Sequence, residues 1–357
     1  MGCAITELLH SKEIQIDDLS GKICAVDALN ILFQFLTTIR QRDGTPLMDS
    51  RGQITSHLNG LFNRTTALME KGLRLVFVFD GVPPKLKEGE QMRRVEAKQE
   101  AQKRFEEAKE KGDVLEMRKY SSRMHKLDGS MIEESKELLS ALGIPVIQAP
   151  SEGEAQAAFM VSKGDAYCVV SQDADALLFG GEKVVRNLSI AGRKKKTNRL
   201  AYEIVKPEMI DLSETLKGLG INHKQLIVLG ILVGTDYNPG GVHGLGPKKG
   251  LKIVKEYGDK YGKDEEGFDS LFKNVKWEFG FSWREVYDTI VNIPVEKDYK
   301  LKWSKVDVNR VKEILCKKHD FSEANVEKKL NKIVKVEISK AKVGKEGTKQ
   351  GSLDKWF

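Results

Sequence analysis

The sequence predicts an α/β fold: a central, mostly parallel sheet flanked by helices. Three observations carry that expectation. Short apolar runs recur through the first half of the chain, helical patterns mostly separate them, and each run discharges into acidic residues. Strands that alternate with helices form parallel sheets, whose ligands bind beyond the carboxyl ends of the strands.

Residues 21–27 (G-K-I-C-A-V-D) are the first such run and end in Asp27. A helical pattern follows to Arg40, with Leu29, Leu32, Phe33 and Leu36 at the required spacing. Residues 53–71 form another amphipathic helix pattern, closed by Gly72. Residues 73–80 (L-R-L-V-F-V-F-D) read as a buried strand ending in Asp80. Residues 144–148 are a third strand, leading into Ser151. Residues 165–173 contain a fourth, Y-C-V-V-S, which runs into Asp173.

Asp27, Asp80, Glu152, Glu154, Asp173 and Asp175 would therefore converge at one end of one sheet. A single strand-ending Asp is more often a helix cap, and Ser151-x-x-Glu154 also fits a capping box. Four acidic strand ends in one sheet are harder to dismiss. Carboxylates sharing a pocket repel one another, so the cluster implies neutralising divalent cations, and all-oxygen ligands suit Mg²⁺ or Mn²⁺.

Residues 84–129 differ from the rest, being dense in Lys, Arg and Glu and strong in helix formers. A helix that is polar all round has no face for the core and should project from the domain. Lys87, Arg94 and Lys98 recur on one side of it, suited to gripping phosphates. Residues 192–199 (G-R-K-K-K-T-N-R) read as a basic loop, either solvated or touching phosphate.

An apolar helix pattern over 226–235 runs into Asp236, a seventh acid. The segment N-P-G-G-V-H-G-L-G-P-K-K-G follows at 238–250. Gly244 and Gly246 allow backbone N–H groups to approach an anion at a helix N-terminus, and Lys248 and Lys249 add charge. The pattern suits DNA backbone binding without sequence preference, as in helix-hairpin-helix elements. Residues 277–331 read as further helices, with Trp277, Trp283 and Trp303 as packing residues. From Lys335 the composition predicts a flexible polar tail. Its end carries Gln350, Leu353, Trp356 and Phe357 at the spacing of one face of a helical turn, which implies docking into a partner.

The whole-chain balance is mildly basic, compatible with binding a polyanion. Lys plus Arg total 59 against 52 Asp plus Glu, a net charge of +7. Four cysteines lie far apart without a C-x-x-C, which argues against a disulfide framework or zinc site and for a reducing interior. No apolar run is long enough for a membrane span, and no secretory leader pattern opens the chain. Met1-Gly2-Cys3-Ala4-Ile5-Thr6 fits the loose myristoylation pattern, but no polybasic second anchor follows, so a lipid is not expected.

Six ordered motifs span the chain: VDALNILFQFL, VFVFDGVPPKLK, APSEGEAQAA, SQDADALLFG, GTDYNPGGVHGLGPKKGL and the terminal Q-x-x-L-x-x-W-F. Together they resemble the flap endonuclease family, the structure-specific nucleases of the XPG/Rad2 group, over essentially the full length. The resemblance implies a PIN-like nuclease core in residues 1–335, comprising an N-region (1–84), a helical arch (85–129), an internal region (130–237) and a helix-two-turn-helix with C-terminal helices (238–335). A tail at 336–357 would end in a sliding-clamp (PCNA) binding motif at 350–357. It implies hydrolysis at the base of 5′ flaps, with 5′–3′ exonuclease activity, in Okazaki fragment maturation, replication and base excision repair. Seven acids would hold two Mg²⁺ ions: Asp27, Asp80, Glu152, Glu154, Asp173, Asp175 and Asp236. The expected division gives Asp27 and Asp80, with one member of the acidic pair, to the first ion. Asp173, Asp175 and Asp236 go to the second, and Glu154 comes nearest to bridging them.

Further roles follow from the same likeness. Lys87 and Arg94 would contact the scissile phosphate, and Phe33 would stack on a base or pack in the core. Arg40, Arg64 and Arg93 would contact DNA, as would Gly2 near the site and the 244–249 loop, which would also bind K⁺. The partners implied are branched DNA with a 5′ flap and the sliding clamp, with the chain a monomer. Its ending at the clamp motif resembles archaeal members, hence a cytoplasmic location; a eukaryotic source would imply the nucleus. Two other readings stay open: a sister nuclease acting on junctions or bubbles, and a non-catalytic, clamp-tethered DNA-binding scaffold.

Overall fold

The computed structural model describes residues 5–347 apart from 42–43, 125, 190–191 and 196–201. Gly2 and the 350–357 motif lie outside the described residues, so no structure is assigned to either.

The chain opens with β1 (Ser11–Glu13), β2 (Ile23–Asp27), α1 (Ala28–Thr38), α2 (Ser56–Glu70) and β3 (Arg74–Phe79). The long helix α3 (Glu88–Glu110) and the shorter α4 (Val114–Met124) follow, and then α5 (Gly129–Ala141) and β4 (Val146–Gln148). The acidic centre is carried by α6 (Gly153–Ser162), β5 (Cys168–Val170) and α7 (Asp175–Leu178). Next come β6 (Lys183–Arg186), β7 (Gly192–Lys195), β8 (Tyr202–Val205) and β9 (Glu208–Asp211). The remainder is helical: α8 (Leu212–Leu219), α9 (His223–Val233), α10 (Pro247–Tyr261), α11 (Glu265–Lys273), α12 (Trp283–Val291), α13 (Val308–Lys312) and α14 (Glu323–Gly347).

Among the described residues, seven strands pair in the order β1-β9-β6-β5-β2-β3-β4. The pairs among β4, β3, β2, β5 and β6 are parallel, and β9 joins β6 and β1 antiparallel. The sheet is mixed but mostly parallel, as expected. Strand residues alternate between its two faces. Ala25, Val76, Val78 and Val169 pack with α6, α7 and α9, whereas Val26, Leu75, Phe77 and Val170 pack with α1, α2 and α5. Apolar residues on both faces explain why these strands read as continuous hydrophobic runs. After β2 the chain builds outward through β3 and β4, then returns to lay β5 on the other side of β2. That reversal opens a crevice at the carboxyl ends of β2 and β5, where such sheets bind ligands.

Four expectations need correction. The arch helix α3 is not polar all round, because Ala101, Phe105 and Ala108 are buried at spacings of four and three. That stripe lets α3 pack along α4. Residues 192–195 are not loop but strand β7, paired antiparallel with β8. The chain does not lose structure at Lys335: α14 continues to Gly347, consistent with the strong helix propensity of its Lys, Glu and Ala residues. Residues 292–307, inside the stretch read as helices, are extended chain without a helix. Trp303 belongs to it, stacking 3.9 Å from the Arg74 guanidinium and donating from Nε1 to the Leu75 carbonyl at 2.9 Å. No single described helix is long and apolar enough to cross a membrane.

Candidate active site

Each acid reaches the crevice from the end of a short element. Asp27 closes β2 and also caps α1, accepting from the Asn30 amide at 3.2 Å. Asp80 follows β3 and accepts from the Gly153 amide at 2.9 Å. Glu152 and Glu154 flank the start of α6, and no side-chain capping bond forms there, so the capping-box alternative is not what these residues do. Asp173 follows β5 and accepts from the Asn30 side-chain amide at 2.8 Å. Asp175 opens α7.

Two interlocked groups result. In the first, Ser171 Oγ donates to Glu154 at 2.5 Å and lies 3.4 Å from Asp27. In the second, Lys87 Nζ lies 2.6 Å from Glu152 and 3.5 Å from Asp236. Arg94 Nη2 meets Asp236 at 2.8 Å. Lys87 thus brings Asp236 beside Glu152, and both line one small pocket with Glu154 and Asp175.

Crowding leaves its mark on protonation. Burial, then the neighbouring Asp27, Asp175 and Asp173, push the Glu154 carboxyl well above its ordinary range. Burial and Asp80 do the same to Asp27. Asp80 is pushed up to about 6, by burial first and Glu152 second. The Lys87 ammonium moves oppositely: burial would lower it, but Glu152 and Asp236 outweigh burial and hold it above its usual value. So many buried acids with so few cations form an incomplete electrostatic unit.

The donor set fits hard divalent ions, being entirely oxygen and net negative, and Glu152 Oε1 is buried without a hydrogen-bond partner. Among the described residues no group of three acidic, His or Cys side chains is gathered as a finished ligand set. The ion pairs supply a physical reason, since the basic groups of Lys87 and Arg94 already occupy Glu152 and Asp236.

Three functional residues escaped the sequence reading. Asn30 and Ser171 hold acids by hydrogen bonds, and neither type stands out in a polar stretch. Glu90 is 3% exposed and grips both Arg93 (2.7 and 2.9 Å) and Arg94 (2.8 Å) at the base of α3. A buried Glu was detectable only as a charge at helical spacing from two arginines.

The nucleic-acid candidates scatter more widely. Phe33 is 41% exposed on α1, so it is not a core residue. Arg64 is half-buried on α2, and burial lowers its pKa. Gly244 adopts a left-handed φ of 78°, Gly246 caps α10, and Lys248 and Lys249 are exposed on its first turn. Arg40 is turned inward, bonded to the chain's own carbonyls.

Two family models match the chain: the XPG N-terminal domain over residues 4–101 and the XPG I-region over residues 143–236. All seven acids, Lys87 and Arg94 fall inside those spans. A flap endonuclease 1 from Pyrococcus abyssi is 49% identical over 357 residues, covering 100% of this chain and 98% of the relative. The chain belongs to the flap endonuclease family. The structure of flap endonuclease-1 from Methanococcus jannaschii superposes with a TM-score of 0.73 at 39% identity, covering 95% of this chain and 100% of that one. The catalytic core of Rad2 in complex with a DNA substrate gives a TM-score of 0.65 at 26% identity, covering 92% and 97%. For a member of the flap endonuclease family, the acid-lined crevice beneath the α3 base is the candidate nuclease centre.

Proposed function

We infer that this chain is a Mg²⁺-dependent, structure-specific nuclease that hydrolyses a DNA phosphodiester at the base of a 5′ flap. The family's 5′–3′ exonuclease activity and its replication and repair roles accompany that reading. One observation carries it: Lys87 and Arg94 descend from the arch base directly into the seven-acid crevice. Cations aimed at an acid cluster are what a scissile phosphate needs, because its negative charge must be held among carboxylates.

Asp27, Asp80, Glu152, Glu154, Asp173, Asp175 and Asp236 would hold two Mg²⁺ ions. Bound there, the ions supply Lewis-acid activation of water and neutralise charge at the phosphate, with Mn²⁺ able to substitute. Asn30, Ser171 and the Gly153 amide fix the carboxylates that would carry them. Lys87 and Arg94 exchange their acidic partners for the phosphate when DNA enters. Phe33, exposed on α1, offers a stacking face, while Arg64, Arg93 and the 244–249 loop track the duplex backbone, the loop with a K⁺ ion. Residues 350–357 engage the sliding clamp.

The test is cleavage of a 5′-labelled double-flap DNA with Mg²⁺ or EDTA, beside an Asp175→Ala chain. A single metal-dependent cut near the flap base, lost in the variant, is expected; tight binding without cutting in Mg²⁺ or Mn²⁺ would leave a DNA-binding scaffold. Added clamp should accelerate the parent chain and not a Phe357→Ala chain.

Gly153 provides a finer probe. A Cβ there would lie 2.6 Å from Asp80 Oδ1 and 3.2 Å from the Val78 carbonyl. Gly153→Ala must displace Asp80, and misplacement of about 1 Å costs about 10²-fold in rate. Single-turnover cleavage should show that loss with flap affinity nearly unchanged.

A further inference from the structure

The four cysteines stand far apart in the sequence, but the sheet brings two of them together. Cys24 lies on β2 and Cys168 on β5, adjacent parallel strands near the middle of the sheet. Their register sets Cys24 directly opposite Cys168, with Ala25 opposite Val169 and Val26 opposite Val170. Alternation along the strands puts both cysteines on one face, in the apolar cluster that holds Val26, Val170, Leu32 and Leu75. Both are fully buried, and both are free thiols. The Cys168 thiol hydrogen-bonds with Cys24, and that contact, followed by burial, pushes it well above its ordinary value.

Residues directly opposite on neighbouring strands stand about 4.8 Å apart. That lies inside the Cα separation of about 4.4–6.8 Å that a disulfide spans. Facing side chains on one face of the sheet need only lean together for their sulfurs to bond. The place matters, because these strands carry the acidic centre. Asp27 ends β2 three residues after Cys24, and β5 runs from Cys168 into Ser171 and Asp173.

We propose that Cys24 and Cys168 form a redox-sensitive pair, which a low-molecular-weight disulfide oxidises to an internal bond across β2 and β5. One cysteine thiolate attacks the oxidant's S–S bond, forms a mixed disulfide and releases one small thiol. The second cysteine gives up its proton, attacks the cysteine sulfur of the mixed disulfide and expels the second small thiol. The two cysteines lose two electrons and two protons, and the oxidant's S–S bond is reduced to two thiols. Because the thiolate is the nucleophile and both sulfurs are buried, the exchange starts only when the sheet opens or while the chain folds. Once closed, the bond is shielded from reductants in the same way. It joins positions that are 144 apart in the sequence (168 − 24), so it removes much of the freedom of the unfolded chain. The pair is independent of the nuclease reading, whose failure would leave it standing.

The experiment uses the full chain carrying Cys3→Ser and Cys316→Ser, which leaves the pair as its two cysteines, beside the same chain with Cys24→Ala. Each is held in oxidised glutathione just below its melting temperature, and each is also refolded from urea in the same oxidant. Thiol titration in denaturant, mass spectrometry and peptide mapping without reductant follow, with melting measured in EDTA. The pair predicts a chain lighter by two hydrogens, with no free thiol and a peptide joining residues 24 and 168. Its melting temperature should rise by about 5 °C and fall back when the unfolded chain is reduced. The Cys24→Ala chain should form no internal bond.

Two free thiols surviving conditions that cap the urea-unfolded chain with glutathione would overturn the proposal. So would glutathione on either cysteine in the folded chain with no internal bond, or a crosslinked chain that melts below its reduced form. Should the Cys3→Ser/Cys316→Ser chain fail to fold, peptide mapping of the oxidised parent chain still decides, since a disulfide that leaves Cys24 or Cys168 out refutes the pairing.

Discussion

An Asp80→Asn chain should lose about 10³ of its flap-cleavage rate and yet, without divalent metal at pH 7.5, melt at a higher temperature than the parent. The rate loss is the several kcal/mol that a metal centre contributes. The stability gain follows from the sign of the protonation shift. Burial and Glu152 raise the Asp80 carboxyl from 3.8 to about 6, so the folded chain binds its proton more tightly than the unfolded one. Folding is thus favoured at low pH, and the penalty grows from about pH 4 to about pH 6, reaching about 3 kcal/mol above that. Asparagine removes the charge but keeps an oxygen to accept from the Gly153 amide. The melting difference should be small at pH 4 and full at pH 7.5 in EDTA. Mg²⁺ should stabilise the parent more than the variant. A variant that melts below the parent in EDTA at pH 7.5 would show that Asp80 is not a strained charge.

What the sequence made legible was whatever leaves a periodic or terminal mark. Leu75, Phe77 and Phe79 alternate with Val76 and Val78 to serve two faces, so β3 reads as one apolar run that stops at Asp80. The same mark located Asp27 and Asp173, and their convergence followed from parallel-sheet topology. Single polar residues left no such trace. Asn30 and Ser171 matter because they face acids from distant positions, Asp173 and Glu154, and contacts of that kind appear only once the strands are laid side by side. Glu90 was hidden among many exposed glutamates of α3, though it alone is buried there. The bonds that hold Arg40 in the DNA-free chain were hidden too, because the backbone carbonyls that accept them carry no side-chain signal. The β7–β8 hairpin was hidden because Arg193, Lys194 and Lys195 lack the apolar alternation that marks a half-buried strand.

A Lys87→Ala chain should separate the two duties of that lysine. In the absence of metal Lys87 neutralises Glu152 and Asp236, and its side chain is only 18% exposed against 9% for that of Glu152. Removing one partner of a largely buried pair strands the other charge, at a cost of about 3 kcal/mol. The folded ammonium is held above its usual range, so this stabilisation is fully present below the unfolded lysine value of about 10.4 and is lost only as pH rises beyond it. The melting deficit of Lys87→Ala in EDTA should therefore be flat between pH 6 and pH 9. Arg94→Ala should show a smaller deficit, because the Arg94 side chain is 40% exposed. With Mg²⁺ at saturating concentration the deficit should shrink, since the ions neutralise the carboxylates that Lys87 leaves behind. The cleavage rate should not recover with it. A donor aimed at the charge that develops on the phosphate contributes about 10²–10³ in rate, and a cation bound among the carboxylates does not replace it from the arch side. A chain whose stability is restored by Mg²⁺ while its single-turnover rate stays 10²-fold down or more assigns Lys87 to the reacting phosphate. A chain whose rate returns together with its stability confines Lys87 to holding the empty site together.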